Sequence, residues 1–292
     1  MTKAAVVILN WNKSEQTRHC LNVARRTTAM PVDWIVVDNG SAEPIDGLGV
    51  DVTLLRNAEN LGFAGGVNCG LRYAFSAGAE HVWLLNNDAE PLPGALDALL
   101  TAARADPEIG LASAIILNAD EGDAVEFHGG LWDDYTYHKT ADPIEYARWA
   151  ADSPGRIWLV GTALLVSRRL VERIGYFDEA MFAYWEDNDI SRRSSAAGFR
   201  NVVVPEARVR HESGHPADNP EERPPYFYYY MTRNELILMR KMGEFAKLRP
   251  LYWLMRRTAR LYVRLWSLPA QRRAVWCGIV DGMLGRDGAY RR

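Results

Sequence analysis

The chain has little cysteine, no long apolar run and almost no net charge. Cys20, Cys69 and Cys277 are the only cysteines among 292 residues, and no two form a CxxC pair. That argues against a disulfide scaffold or a thiolate metal motif and makes a reducing compartment the default. The longest apolar stretch, Ile157 to Ser167, falls well short of the roughly 20 residues that cross a bilayer. Met1-Thr2-Lys3 leads directly into a strand-like segment without a signal-peptide layout. A cytoplasmic protein, not integral to a membrane, is expected. Neither a GxGxxG fingerprint nor a P-loop is present.

What is present is a large, evenly mixed chain, 48% hydrophobic and 24% charged, long enough to bury a core without covalent staples. The formal charge of -3 hides a split. Residues 240–292 carry 13 Lys and Arg against 3 Asp and Glu, a surplus of ten that leaves residues 1–239 at -13. An acidic body of that kind is a poor nucleic-acid binder. The basic tail mixes arginine with leucine and aromatics from Leu248 to Trp266. Two uses fit equally: peripheral contact with an anionic membrane on its inner face, or packing on the acidic body or homo-oligomerisation.

Ala4 to Leu9, Trp34 to Val37, Val52 to Leu55 and His81 to Leu85 are short, continuous apolar runs, as in strands buried on both faces. Helix-like segments separate them, at about Ser14 to Thr28 and Val67 to Ala77. Alternation of this kind predicts right-handed βαβ units and a mainly parallel, Rossmann-like sheet flanked by helices. Ligands then bind beyond the carboxyl ends of the strands, where polar clusters follow Leu9, Val37 and Leu85. The second part, from about Ile109 to Ser213, contains an expected strand over Ile157–Val166 and a helix near Arg168–Ile174. A charged helix near Glu186–Ala197 and a strand at Val202-Val203-Val204 follow. Asn118 to Ser153 is the least regular segment and the candidate acceptor-side insertion. From Tyr226 the pattern is helical. We divide the chain into a body, 1–239, with halves 1–108 and 109–239, and a basic helical extension, 240–292.

Asp38-Asn39-Gly40-Ser41 reads either as an Asx-type turn or as a carboxylate that accepts from a pyrimidine N3–H. Asn60 to Asn68 is glycine-rich and opens a helix, which favours phosphate near its backbone. Asn86-Asn87-Asp88 reads as a strand-ending turn or as one carboxylate ligand of a hard divalent cation, Mg²⁺ or Mn²⁺, beside a diphosphate. In Glu186-Asp187-Asn188-Asp189, Asp189 has Arg192 and Arg193 at i+3 and i+4, whereas Asp187 has Ile190 and Ser191 there. An unpaired acid among acids has a raised pKa and suits a general base, so Asp187 is favoured and Glu186 is its rival. His211 offers an imidazole to complete a metal shell with Asp88, with His215 ranked below it. Arg233, after the aromatic run Tyr226 to Tyr230, is placed to reach a donor phosphate.

Together these pieces resemble inverting glycosyltransferase family 2, especially its rhamnosyltransferase-like branch, over about residues 4–240. The marks are Leu9-Asn10-Trp11-Asn12, Val37 to Ser41, Gly62 to Gly70, Leu84 to Asp88, Gly175 to Glu179, Trp185 to Asp189, and His211. The resemblance implies a GT-A fold, a nucleoside diphosphate sugar (UDP or dTDP, with dTDP-rhamnose favoured) and a divalent cation. It implies donor contacts at Asn10, Asn12, Asp38, Gly65, Asn68, Asn87, Asp88 and Arg233. Asp88 and His211 would hold the metal and Asp187 would deprotonate an acceptor hydroxyl. Trp185, Gly161 and Thr162 would face the acceptor, which is a glycan, a glycolipid or a small natural product. The family's DxD stands here as Asn-Asn-Asp, which leaves one acidic ligand. Two rival classes are a non-catalytic nucleotide-sugar-binding subunit, which needs no base, and a nucleotidyltransferase, whose opening loop carries Gly and Arg or Lys where this chain has Asn10-Trp11-Asn12-Lys13.

Overall fold

The computed structural model describes residues 3–133, 136–212, 221, 223–243 and 248–290. The first half alternates as expected: β1 (Ala4–Asn10), α1 (Ser14–Thr27), β2 (Asp33–Asn39), β3 (Val52–Asn57), α2 (Gly62–Ser76) and β4 (His81–Leu85). Then come β5 (Ala89–Pro91), α3 (Ala95–Ala105), β6 (Ile109–Asn118), β7 (Ala124–Phe127), β8 (Gly129–Trp132) and β9 (Tyr137–Thr140). α4 (Pro143–Asp152), β10 (Ile157–Trp158), β11 (Ala163–Ser167), α5 (Arg168–Ile174), α6 (Glu186–Ala196) and β12 (Arg200–His211) follow. The chain closes with α7 (Pro225–Lys241), α8 (Leu248–Arg264) and α9 (Pro269–Leu284).

The central sheet runs β3-β2-β1-β4-β11-β6-β12-β5, with β7 paired to β6. Pairing is parallel from β3 to β4 and antiparallel on both edges of β11. β1, β2 and β4 can carry continuous apolar runs because helices cover both faces, and Val6, Ile8, Val36 and Val82 are indeed fully buried, whereas the edge strand β3 is only partly buried. Asn10, Asp38 and the residues after Leu85 therefore emerge along one edge, at aligned strand ends.

Three expectations change. The glycine-rich stretch does open a helix, but α2 begins at Gly62, ahead of the expected Val67, and Gly66 and Gly70 press that helix onto Leu9 and Val7, where a Cβ would collide. The apolar run from Ile157 is broken by a loop over 159–162, and its halves enter different sheets, β10 joining β8 and β9. β12 is longer than the sequence indicates. A register shift between Val204 and Arg208 absorbs Pro205, and the strand continues to His211.

The boundary drawn at 239/240 falls inside α7. α9 lies along α7 so closely that a Cβ on Gly278 would stand 2.6 Å from the Tyr229 carbonyl oxygen. The Tyr229 hydroxyl donates to Asp281 at 2.9 Å. Among the described residues no helix is long and apolar enough to cross a membrane.

Candidate active site

The strand ends of the first half are tied into one polar chain. Asn87 Nδ2 donates to Thr17 Oγ1 at 3.0 Å, and Thr17 Oγ1 donates to Asn10 Oδ1 at 2.7 Å. Asn10 Nδ2 in turn donates to Asp38 Oδ1 at 3.2 Å and Ser41 Oγ at 3.1 Å. Asn12, in left-handed backbone, accepts from Ala42 N–H through Oδ1 while its own N–H donates to Ser41. Asp38 also accepts from the Ser41 and Ile45 backbone, so it organises the loop after β2 as an Asx turn does. Asn10, Asn12, Asp38 and Asn87 are thus brought together, with Thr17 as the link that sequence reasoning missed. Nothing in an isolated helical threonine marks it.

Three other predicted donor residues lie elsewhere. Asn68 is fully buried and latches α2 to the loop after α5, accepting from Phe177 N–H at 3.1 Å and donating to the Phe177 carbonyl at 2.9 Å. Gly65 is buried within α2, where a Cβ would stand 2.7 Å from that of Leu61. Arg233 is fully buried. Its guanidinium donates to the carbonyls of Ala180, Met181 and Gly288 and lies over the rings of Tyr229 and Tyr230. The reach toward a donor phosphate is therefore corrected: helix α7 points this side chain inward, not at the strand ends.

What Arg233 holds is the approach to the acidic pair. Phe182, Tyr184 and Trp185 have φ of 62°, 68° and 72°, a region costly for bulky L-residues. Asn234 Nδ2 lies 2.7–2.8 Å from the carbonyls of Met181, Ala183 and Tyr184, and Trp185 Nε1 donates to the Met231 carbonyl at 3.0 Å. Helix α7 thereby clamps a strained loop whose next residues are Glu186 and Asp187. Trp185 is 7% exposed, with its ring edge-on to Tyr137 at 4.9 Å. Its ring is committed to packing, and the more open aromatic beside it is Tyr184, at 36%.

A cleft of about 640 Å³ collects Trp185, Glu186, Asp187, Thr162 and His211 along its walls. Asp187 Oδ1 accepts from Asn188 N–H at 2.8 Å and Oδ2 from Gly161 N–H at 3.3 Å. The Thr162 carbonyl accepts from Asn86 N–H at 2.9 Å, so the same loop touches both the base and the Asn86-Asn87-Asp88 turn. Burial raises the Asp187 pKa against the pull of those donors. Glu186 is pushed well above the ordinary carboxylate range, by burial first and then by the Asp187 charge, and its Oε2 is buried without a hydrogen-bond partner. More donors face the Asp187 carboxylate than the Glu186 one, so its anion is the better supported of the two. Asp189 pairs with Arg193 at 2.7 Å, as its spacing predicts, and also meets Lys241 at 2.5 Å.

His211 Nε2 lies 3.3 Å from Asp88 Oδ1, and its Nδ1 lies 3.9 Å from Glu126. Burial lowers the His211 pKa, but the two carboxylates outweigh it and hold the ring at about 9. Asp88 Oδ1 is buried and has no hydrogen-bond partner of good geometry. A buried, orphaned carboxylate oxygen facing an imidazole fits a divalent cation, although among the described residues no group of three or more His, Cys, Asp or Glu is placed to hold one. Glu126, in the irregular insertion, gave no sequence signal. His215 lies outside the described residues.

A curled mixed sheet, a polar cluster at its parallel strand ends and a buried acid pair in a cleft shared with His211 define a GT-A glycosyltransferase. Residues 5–175 match the sequence profile of Glycosyl transferase family 2, and the chain belongs to that family. It is 30% identical over 236 residues to the N-acetylglucosaminyl-diphospho-decaprenol L-rhamnosyltransferase of Mycobacterium tuberculosis, covering 72% of this chain and 76% of the relative. It is 25% identical to Galactofuranosyltransferase GlfT1 of the same organism, covering 71% and 69%. In fold it is similar to the mannosyltransferase PcManGT of Pyrobaculum calidifontis, solved with GDP-Man and Mn²⁺, at a TM-score of 0.59 and 16% identity over 98% of this chain and 88% of that one. It is likewise similar to residues 1–349 of S. aureus TarS with UDP-GlcNAc, at 0.54 and 15% identity over 86% and 69%.

Proposed function

We propose that this glycosyltransferase moves a sugar, rhamnose in our reading, from a dTDP- or UDP-activated donor to a hydroxyl of a lipid-linked glycan by a single inverting displacement. The observation that carries the mechanism is the position of Asp187, ionisable and held by Gly161 and Asn188 in a cleft that also contains His211. Asp187 takes the proton of the attacking hydroxyl, while Glu186 stays protonated beside it and spares the site a second negative charge. Asp38 and the Asn10-Thr17-Asn87 chain position the nucleoside and diphosphate. Asp88 and His211 would hold a divalent cation, Mg²⁺ or Mn²⁺, whose chemistry is to neutralise charge on the leaving diphosphate. The choice of rhamnose and of a lipid-linked acceptor is supported by the relative of 30% identity, whose name gives that donor sugar and a diphospho-decaprenol acceptor.

The extension supports peripheral attachment to an anionic membrane. Leu248, Tyr252, Met255, Tyr262 and Val263 are exposed, at spacings that share one side of α8, and Arg256 and Arg260 flank them. Such a stripe suits insertion at a headgroup boundary. Cosedimentation of full-length protein with phosphatidylglycerol vesicles checks it: Met255→Glu should abolish pelleting, and a change of oligomeric state instead would assign the stripe to self-association.

The test of mechanism is Asp187→Asn. Transfer should fall by roughly 10²- to 10⁴-fold, the range for a general base, with donor affinity retained. Near-normal transfer in that variant overturns the assignment.

A further inference from the structure

A second cavity, of about 200 Å³, lies beside the catalytic cleft between α6, α7 and α8. Four arginines line it, Arg192 from α6 and Arg256, Arg257 and Arg260 from α8, against two acids, Asp133 and Glu235. Arg257 pairs with Glu235, while Asp133 accepts from Thr136 at 2.7 Å and lies 3.0 Å from His138. Arg256 lies over the Trp253 ring, and among the described residues no carboxylate pairs with Arg256 or Arg260. The rest of the lining is largely apolar, from Leu238, Met239, Trp253 and Leu254. Thr136, Tyr137 and Arg257 belong to the walls of both cavities.

We propose that this arginine-lined cavity is an anion subsite that holds a phosphate group joined to the hydrocarbon part of the acceptor. The reading rests on the lipid-linked acceptor class proposed above. Guanidinium groups fork onto phosphate oxygens, and the apolar wall accommodates the first carbons beyond the phosphate. The shared residues at Arg257 and Tyr137 let the sugar side of the same molecule continue toward Asp187. The outer side of α8 meanwhile carries the exposed apolar stripe. One helix thus meets both parts of an amphiphilic substrate: cations toward the cavity and apolar side chains toward the lipid.

The experiment titrates full-length protein, in EDTA so that no divalent cation assists, with farnesyl diphosphate and with inorganic pyrophosphate by calorimetry. Farnesyl diphosphate should bind more tightly than pyrophosphate. Arg256→Ala and Arg260→Ala should each weaken it by roughly ten- to a hundredfold, the loss of one charge-assisted contact. Both side chains are exposed, so the variants should fold, which an unchanged melting temperature checks. Asp88→Ala should leave the affinity unchanged. Absence of binding, indifference to both arginines, or sensitivity to Asp88→Ala, which would place the diphosphate in the donor site, overturns the subsite. Loss of anionic-vesicle binding with farnesyl diphosphate affinity intact would assign the arginines to phospholipid headgroups and overturn it equally. Failure of the catalytic reading shows separately, as transfer retained by Asp187→Asn, and does not alter these affinities.

Discussion

Asn234 lies in α7, far along the chain from Glu186 and Asp187, yet it decides how that pair is presented. Its Nδ2 faces three loop carbonyls, on Met181, Ala183 and Tyr184, within 2.8 Å. Replacing it by alanine removes the side-chain donor to the Ala183 and Tyr184 carbonyls, at about 1–3 kcal/mol for a buried polar group left unpaired, while the Met181 carbonyl keeps Arg233 as its donor. It also releases a loop in which Phe182, Tyr184 and Trp185 hold positive φ, at about 1–3 kcal/mol each. The loop then relaxes toward ordinary backbone and carries the acid pair with it. We expect Asn234→Ala to lose about 2–3 kcal/mol of stability, a fall in Tm of roughly 3–5 °C for a chain of this size. A shift of an ångström at the base costs on the order of a hundredfold in kcat.

The measurement that separates positioning from mere stability is a kinetic split with a rescue. Donor affinity should be unchanged, because Asn10, Asp38 and Asn87 are tied through α1 and the strand ends, not through α7. Tyr184→Gly, which places glycine where left-handed backbone is free of a Cβ penalty, should recover about 1 kcal/mol in the Asn234→Ala background. A variant that melts lower but keeps kcat within twofold of the parent would refute the clamp. Strict additivity of the two substitutions would refute it as well.

Three further outcomes follow from the site. Glu186→Gln should melt above the parent at neutral pH and equally with it below about pH 4: the folded pKa of Glu186 is raised, so the unfolded chain ionises first as pH climbs, and stability is lost until the folded carboxyl also ionises; calorimetry at pH 4 and pH 7 reads this. The pH profile of transfer should have its acid limb above the ordinary aspartate range of about 3.9, because burial raises Asp187, and a limb at or below that value would exclude Asp187 as the base. Asp88→Ala and His211→Ala should each abolish the part of donor affinity that Mn²⁺ adds, measured with and without chelator; equal affinity in both conditions would remove the metal from the site.

Much of the first half was legible because a buried parallel strand leaves an unmistakable apolar run. β1, β2 and β4 were read within a few residues, and their polar ends marked the donor side. The spacing of Asp189 to Arg193 was also legible, since it is a local matter of one helix face. Arg233 was misread for the opposite reason. A guanidinium's chemistry is the same whether it holds a phosphate or three carbonyls, and only the packing of α7 decides which. Glu126 and Thr17 were invisible because each acquires its role from a partner distant in sequence, His211 and Asn87 respectively. The left-handed run at Tyr184 and Trp185 was likewise hidden, as neither residue type advertises positive φ.

The placement of α9 changes what the C-terminal extension means for catalysis. Arg233 donates to the carbonyl of Gly288 and to those of Ala180 and Met181, so one buried side chain joins the extension to the loop before the acid pair. Tyr229 to Asp281, and the close approach at Gly278 and Gly282, fix α9 on the same face of α7. Cutting the chain near Met239 would therefore expose Arg233, remove one of its three carbonyl partners and loosen the clamp. An inactive truncation would say nothing about membranes. Point substitutions on the exposed stripe of α8, at Met255 or Val263, change the outer surface and leave α7 and α9 packed. Only variants of that kind separate where the protein sits from how its base is held.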